Sequence, residues 1–327
     1  MDLSLKPHLS GRPPMSYSRI AALGHYQPER VLTNDDLAAM VDTSDEWIRR
    51  RTGIVTRRIA AQDESVADMA SAAAGKALAA AGVEPDRIGL VVVSTSSAMD
   101  RCPSTAAQTA GRLGIPASAC YDVNNACSGF TTALASADHA LRAGAAEYAL
   151  VVGAEKMSDL TDWTDRSTNI LLGDGAGAAV LAPSEKQGIG PVVWGSDPSR
   201  RDTVRLAGAW QPRFEQDGQA VYRWATTALA LVARTACERA GIAPTDLDGI
   251  ITHQANLRII EAITAQLGAP DVTVAEDVIE SGNTSAASIP LAFSKLVERG
   301  DLRTGEKVLL LGFGGGLSWA GQVVDCP

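Results

Sequence analysis

Three short segments contain residues whose types fit nucleophilic and hydrogen-bonding chemistry. The first is Asp122-Val123-Asn124-Asn125-Ala126-Cys127-Ser128-Gly129-Phe130, between an apolar run and an Ala-rich stretch of helical character. A thiol at the first turn of a buried helix faces unsatisfied backbone N–H groups, which favour the thiolate and are expected to lower its pKa. Such a thiolate is a nucleophile suited to acyl transfer. By itself a lone cysteine reads equally as a small buried hydrophobe, so the reading depends on its company. The second segment is His253-Gln254-Ala255-Asn256-Leu257-Arg258, directly after the apolar run Ile250-Ile251-Thr252. Of the four histidines, only His253 stands just past the end of a predicted buried strand, where catalytic groups of α/β proteins gather. The third is Asn283, opening Asn283-Thr284-Ser285-Ala286-Ala287-Ser288. Alone it would be a helix N-cap.

Taken together, these residues fit a two-stage reaction. Cys127 takes an acyl group from a thioester. His253 and Asn283 then donate hydrogen bonds to a second thioester carbonyl that carries enolate charge once a malonyl group has lost CO2. Asn is not a base, so its presence favours enolate stabilisation over cysteine hydrolysis. The run Gly312-Phe313-Gly314-Gly315-Gly316-Leu317-Ser318-Trp319 offers a backbone N–H for an acyl oxyanion, or a tight structural turn. Gly173-Asp174-Gly175-Ala176-Gly177 lacks the Lys-Ser/Thr ending of a phosphate loop and reads as a close-packed turn or bulge between halves.

The elements that must position these residues occur twice. Ala81-Gly82-Val83-Glu84-Pro85-Asp86-Arg87-Ile88 precedes an apolar run, as does Ala240-Gly241-Ile242-Ala243-Pro244-Thr245-Asp246-Leu247, roughly 160 residues later. Arg142-Ala143-Gly144 and Arg299-Gly300 again precede apolar runs at nearly the same spacing. Continuous Val/Ile/Leu strands predict sheets buried on both faces, and two α/β halves sharing a helical layer. In this register Cys127 falls near Asn283.

Composition limits the alternatives. The chain has 327 residues, 46% hydrophobic and 20% charged, with a net charge of −9. That balance disfavours nucleic acid, and no apolar stretch predicts a membrane span. Arg49-Arg50-Arg51, Arg57-Arg58 and Arg200-Arg201 are candidate local anion patches. Five scattered cysteines without a CxxC pair predict neither a disulfide framework nor a metal site, and fit a reducing cytoplasm. Residues 1–17 read as a disordered lead-in, not a signal peptide, with Met15 an alternative start.

The chain resembles the β-ketoacyl-ACP synthase III family of the thiolase superfamily from about Ser18 to Val324. The residues that carry this are Asp42-Thr43-Ser44-Asp45-Glu46-Trp47-Ile48, Arg51-Thr52-Gly53-Ile54, Ala126-Cys127-Ser128-Gly129, Gly173 to Gly177, His253 to Asn256 and Gly282 to Ser288. The resemblance implies a thiolase-like five-layer αβαβα fold, with an N-terminal half over 18–185 and a C-terminal half over 186–327. It implies a homodimer and a catalytic set Cys127, His253 and Asn283, with oxyanion donors from Cys127 and Gly315. Trp47, Arg51, Thr43, Arg166 and Asn256 would bind CoA, Cys102 and Tyr222 would shape the acyl pocket, and Arg223 and Arg258 would dock an acidic carrier protein. Acyl-CoA and malonyl-ACP would be substrates, with no cofactor and no metal.

Three departures bear on specificity. Cys102 stands where acetyl-selective members carry an aromatic residue, in a loop that by the resemblance crosses the dimer interface and bounds the neighbour's acyl pocket, leaving room there for a longer, branched or cyclic acyl group. The segment between Trp194 and Tyr222 is short, which predicts a more open pocket roof. The stretch Glu261-Ala262-Ile263-Thr264-Ala265-Gln266 lacks lysines expected for carrier docking. A starter-unit enzyme of polyketide or other secondary metabolism fits these features. So does a Cys127 acyltransferase or thioesterase with a non-carrier acceptor.

Overall fold

The computed structural model describes residues 17–100 and 102–327. Most of the expected lead-in, including Met15, lies outside the described residues. Tyr17 does not belong to it, because it opens the first strand.

Along the chain come β1 (Tyr17–Tyr26), β2 (Arg30–Thr33), α1 (Asn34–Ala38), α2 (Asp45–Thr52), β3 (Thr56–Ile59), α3 (Val66–Ala81), β4 (Ile88–Ser94), α4 (Thr105–Arg112), β5 (Ala119–Val123), α5 (Gly129–Arg142), β6 (Tyr148–Lys156) and β7 (Asp174–Ser184). Then follow β8 (Val193–Ser196), β9 (Val204–Ala207), β10 (Arg213–Gln216), α6 (Gly218–Arg239), β11 (Gly249–Thr252), α7 (Leu257–Leu267), β12 (Thr273–Val274), α8 (Val278–Ser281), α9 (Ser288–Arg299), β13 (Lys307–Gly314) and β14 (Ser318–Asp325).

One five-stranded sheet has the order β1-β7-β6-β4-β5, the other β8-β14-β13-β11-β12. The second repeats the first strand for strand. In each, three strands run parallel, and the long strand beside them (β7 or β14) is antiparallel to both neighbours. The Gly–Pro turns recur as well. Pro85–Arg87 and Pro244–Asp246 are both 3-10 turns that lead into parallel strands.

Alternation of side chains explains the layering. Val92 and Val151 join a core with α5 and α9, while Val91, Val93, Leu150 and Val152 join one with α3 and α4. Likewise Ile251 and Leu310 face the central helices, and Ile250, Leu309 and Leu311 face α6 and α7. Each sheet is therefore buried on both faces, which is why its strands read as unbroken apolar runs. The result is a five-layer αβαβα fold: α3 and α4, the first sheet, α5 and α9, the second sheet, α6 and α7. No helix among the described residues is long and apolar enough to cross a membrane.

The central layer carries the turns that matter. Ala126–Ser128 and Ser285–Ala287 are short 3-10 turns that continue into α5 and α9, and they touch one another. Ala126 and Ser285, their first residues, have φ of 45° and 48°. Cys127 thus matches Ala286 in the repeat and Asn283 matches Asn124, so the expected pairing of Cys127 with Asn283 was out of register.

The glycines of 173–177 have a different use from the one expected. They are not a turn or bulge: Asp174 to Gly177 belong to β7, regularly paired with β6. α9 lies directly on that strand. A Cβ at Gly177 would come within 2.4 Å of the Leu291 backbone nitrogen, and one at Gly153 of β6 within 2.4 Å of the Ala286 carbonyl. Because the obstructing atoms are backbone, Gly177→Ala should destabilise the protein by about 2 kcal/mol or more. Gly75→Ala, inside α3 and facing only the Leu113 side chain at 3.6 Å, should gain up to about 1 kcal/mol. Thermal or denaturant unfolding of the two variants checks the contrast, and equal shifts would refute it.

Candidate active site

Cys127 is 8% exposed and forms part of the wall of a cavity of about 330 Å³. The strand β13 runs against it so closely that a Cβ at Gly314 would lie 2.7 Å from the Cys127 Cβ. The Ser285 side chain and the backbone N–H groups of Cys127 and Gly315 act on the sulfur. These contacts favour the thiolate, but burial outweighs them, and the buried carboxylate of Glu155 adds to the opposition. The thiol is pushed up to about 11. The expectation of a low pKa is therefore corrected: desolvation wins over the N–H groups at the turn. The free protein holds a neutral thiol.

Glu155, fully buried, is raised by desolvation and held by the N–H groups of Ser96, Ser97 and Ala286 and the hydroxyls of Thr95, Ser96 and Ser97. It ties the segment after β4 to the turn 285–287.

His253 follows β11, is 2% exposed, and is pushed down to about 3 by desolvation. It is neutral near pH 7. Its Nδ1 lies 2.8 Å from Ser288 Oγ, and that oxygen also accepts the Gln254 N–H at 3.3 Å. Ser288 is buried, and its hydroxyl proton has one acceptor among the described residues, the imidazole Nδ1. Leaving that proton unpaired would cost about 1–3 kcal/mol. The network therefore assigns the imidazole proton to Nε2, making His253 a donor at that nitrogen. Phe313 packs edge-on to the ring at 5.3 Å, one residue from the glycine that abuts Cys127.

Asn283 precedes the second turn. Its Oδ1 accepts the Ser285 N–H at 2.9 Å, and its backbone is tied to Leu171 and Gly173. With the amide oxygen engaged, Nδ2 is the end left to donate. Asn283 lines a second, larger groove of about 660 Å³. The segment 283–288 thus reaches all three candidate residues: Asn283 itself, Cys127 through Ser285, and His253 through Ser288.

Trp47, Arg51, Arg166, Arg223 and Arg258 line that groove. Ser44 caps α2, Asp45 and Glu46 occupy its first turn, and three arginines complete its last. Trp47 and Arg51 fall on one face at i, i+4 spacing. The indole is flanked by two guanidiniums, Arg51 at 5.4 Å and Arg166 at 5.1 Å. Arg166 is itself anchored on the Asp42 carbonyl at 2.8 Å. Four arginines in one groove make a local anion site on a chain of net negative charge. Thr43 is not among the residues lining this groove, and its hydroxyl is buried and unpartnered among the described residues.

Several expected residues have other surroundings. Asn256 lines the arginine groove, but its amide is engaged: it caps α7 through Oδ1 and donates from Nδ2 to the Arg51 carbonyl at 3.0 Å, holding α7 to α2. Tyr222 does not line the Cys127 cavity; it faces the outer groove with the Arg258 guanidinium 5.2 Å from its ring. Cys102 is exposed and does not reach the cavity of its own chain. Arg57 is fully buried, bonded to Asn34 and the Ile170 carbonyl, and Arg58 binds the carbonyls of Pro28 and Glu29, so this pair is no surface anion patch. Arg200 and Arg201 pair with Asp197 and Asp202.

The short segment between Trp194 and Tyr222 contributes a hairpin to the cavity wall. Residues 204–216 form the β9–β10 hairpin, and Val204, Leu206 and Phe214 line the cavity together with Met157. The signal was present in the sequence as two short runs flanking Gly208 and Pro212.

Comparisons with known proteins agree with this geometry. The family model described as 3-oxoacyl-[acyl-carrier-protein (ACP)] synthase III matches residues 121–198, and that of its C-terminal part matches 237–326. β-Ketoacyl-[acyl-carrier-protein] synthase III 4 of Streptomyces coelicolor is 63% identical over 313 residues, covering 95% of this chain and 99% of that protein. Among solved structures, a priming β-ketosynthase from a polyketide biosynthetic pathway superposes with a TM-score of 0.94 at 41% identity, covering 97% of this chain and 99% of that one. The 3-oxoacyl-(acyl carrier protein) synthase III of Pseudomonas aeruginosa gives 0.91 at 41% identity, covering 95% and 98%.

The neutral resting thiol has a direct test. Alkylation of Cys127 by iodoacetamide, followed by peptide mapping, should accelerate about tenfold per pH unit from pH 7 to 9.5. A plateau beginning below pH 8 would show a low-pKa thiolate instead. A buried turn cysteine abutted by a strand glycine, a neutral histidine donor and an asparagine at the end of an arginine-lined groove, together with these matches, place the chain in the β-ketoacyl-[acyl-carrier-protein] synthase III family.

Proposed function

We propose that the protein condenses an acyl-CoA starter with malonyl-ACP through an acyl-enzyme on Cys127, giving 3-ketoacyl-ACP, CoA and CO2. The observation that carries the reading is the pair of backbone N–H groups, from Cys127 and Gly315, that act on the Cys127 sulfur, with Asn283 linked through Ser285 and lining an arginine-rich groove.

In the first half-reaction the sulfur attacks the thioester carbonyl. The N–H groups of Cys127 and Gly315 bind the oxyanion, and CoA leaves with the proton that Cys127 loses. The high resting pKa fits this order, because proton and acyl group exchange between two thiols. In the second, the malonyl group loses CO2 and its electron pair moves toward the thioester oxygen. His253 Nε2–H and Asn283 Nδ2 donate to that oxygen, the enolate carbon attacks the acyl-enzyme, and the Cys127 sulfur is released.

Trp47 and the guanidiniums of Arg51 and Arg166 suit an adenine ring and its phosphates. Arg223 and Arg258, on the same groove, suit an acidic carrier protein. β5, an edge strand bonded to β4 alone among the described strands, leaves an open edge that suits a second copy of the chain. In such a homodimer Cys102 would bound the neighbouring acyl pocket, its small side chain admitting starters larger than acetyl. The cytoplasm, where acyl-CoA is available, is the compartment this chemistry requires. The hairpin over the cavity also fits the second reading, transfer to a non-carrier acceptor; that reading predicts turnover without malonyl-ACP or CO2.

Intact-mass measurement after incubation with acyl-CoAs should show one acyl adduct on the wild type and none on Cys127→Ala. Asn283→Ala should still acylate while condensation falls about a hundredfold or more. Equal loss of both half-reactions would refute the division of labour.

Trp47→Ala and Arg51→Ala should each raise the acyl-CoA concentration for half-maximal acylation about tenfold, with a smaller change at saturation. Unchanged concentration dependence in both would place CoA elsewhere.

A further inference from the structure

The two N–H groups at the Cys127 sulfur come from opposite halves of the fold, and a pair of buried hydroxyls joins the segments that carry them. Ser128 Oγ lies 2.8 Å from Ser318 Oγ, and the two residues are 0% and 2% exposed. On one side Ser128 Oγ reaches the Asn125 carbonyl at 2.8 Å; on the other Ser318 Oγ reaches the Gly315 carbonyl at 2.8 Å. Two hydroxyl protons serve this chain in either polarity: Ser318 to Ser128 to Asn125, or Ser128 to Ser318 to Gly315. The bridge between the hydroxyls persists in both, and each bond polarises the next.

The carbonyls it grips are informative. Asn125 immediately precedes Ala126, which is held at φ 45°, a costly conformation for a residue with a Cβ. That conformation determines where the Cys127 N–H points, and the Ser128 N–H also closes on the Asn125 carbonyl at 3.2 Å. The Gly315 carbonyl belongs to the residue that supplies the other N–H. We propose that Ser128 and Ser318 are positioning residues that hold the two oxyanion donors at a common spacing across the halves. This rests on the acyl-enzyme reading above.

The test separates oxyanion binding from mere packing. Ser128→Ala, Ser318→Ala, the double variant and Ser318→Thr are compared in single-turnover acylation by acetyl-CoA, isobutyryl-CoA or hexanoyl-CoA, whichever acylates the wild type fastest. Alkylation of Cys127 by iodoacetamide, which forms no oxyanion, is measured in parallel. Each alanine variant should slow acylation about tenfold at saturating acyl-CoA, with half-saturation and alkylation within about twofold of wild type. The double variant should be little worse than the poorer single one, because the hydroxyls act as one unit. Ser318→Thr should recover most of the rate. Unslowed acylation, equal slowing of alkylation, or losses that multiply would overturn the proposal. A wild-type protein that none of these thioesters acylates would overturn the acyl-enzyme reading itself, and the proposal with it.

Discussion

Everything at this site depends on two turns touching in the middle of the molecule. Ala126–Ser128 and Ser285–Ala287 come together because the strands beside them carry no side chain where the backbones meet. Gly153 admits Ala286, and Gly314 admits Cys127. An interior packed to crystalline density leaves no slack for even one methyl at such a contact. The catalytic geometry is thus a by-product of how closely two sheets can approach a shared helical layer. Chemistry is located where the repeat meets itself.

The repeat also supplies an asymmetry. Corresponding positions hold Cys127 and Ala286, and Asn124 and Asn283. One half has kept the nucleophile, while the other supplies the amide whose oxygen is locked and whose nitrogen is free. His253 comes from the same second half, fixed by a serine of the segment that follows Asn283. In the proposed reaction one half would carry the acyl group, and the other would present donors to the second thioester.

Much of this was legible in the sequence, and the failures have physical causes. Unbroken Val/Ile/Leu strands and recurring Gly–Pro turns revealed two sheets buried on both faces, because burial dictates residue type directly. Cys127, His253 and Asn283 stood out because each follows or opens an element at a place where α/β proteins put chemistry. The register of the repeat was missed because Ala126 and Ser285 adopt left-handed backbone without being glycine, and the Ala/Ser-rich runs around them align almost equally well when shifted. Tyr222 was misplaced because the direction of a side chain on α6 depends on which groove the helix borders. The pKa of Cys127 was misjudged because a turn's N–H groups are visible in sequence and the depth of burial is not. Hairpin residues such as Leu206 and Phe214 escaped because a short apolar run says nothing about what it will cover.

The neutral thiol has a bearing on how the protein survives between turnovers. With a pKa of about 11, only roughly one molecule in ten thousand carries a thiolate at pH 7. Thiolates attack peroxide and disulfides, and the first rung of cysteine oxidation follows thiolate character and exposure. A nucleophile kept protonated behind a hairpin is thereby insulated from oxidants. Burial would thus protect the proposed nucleophile from oxidative wear between turnovers.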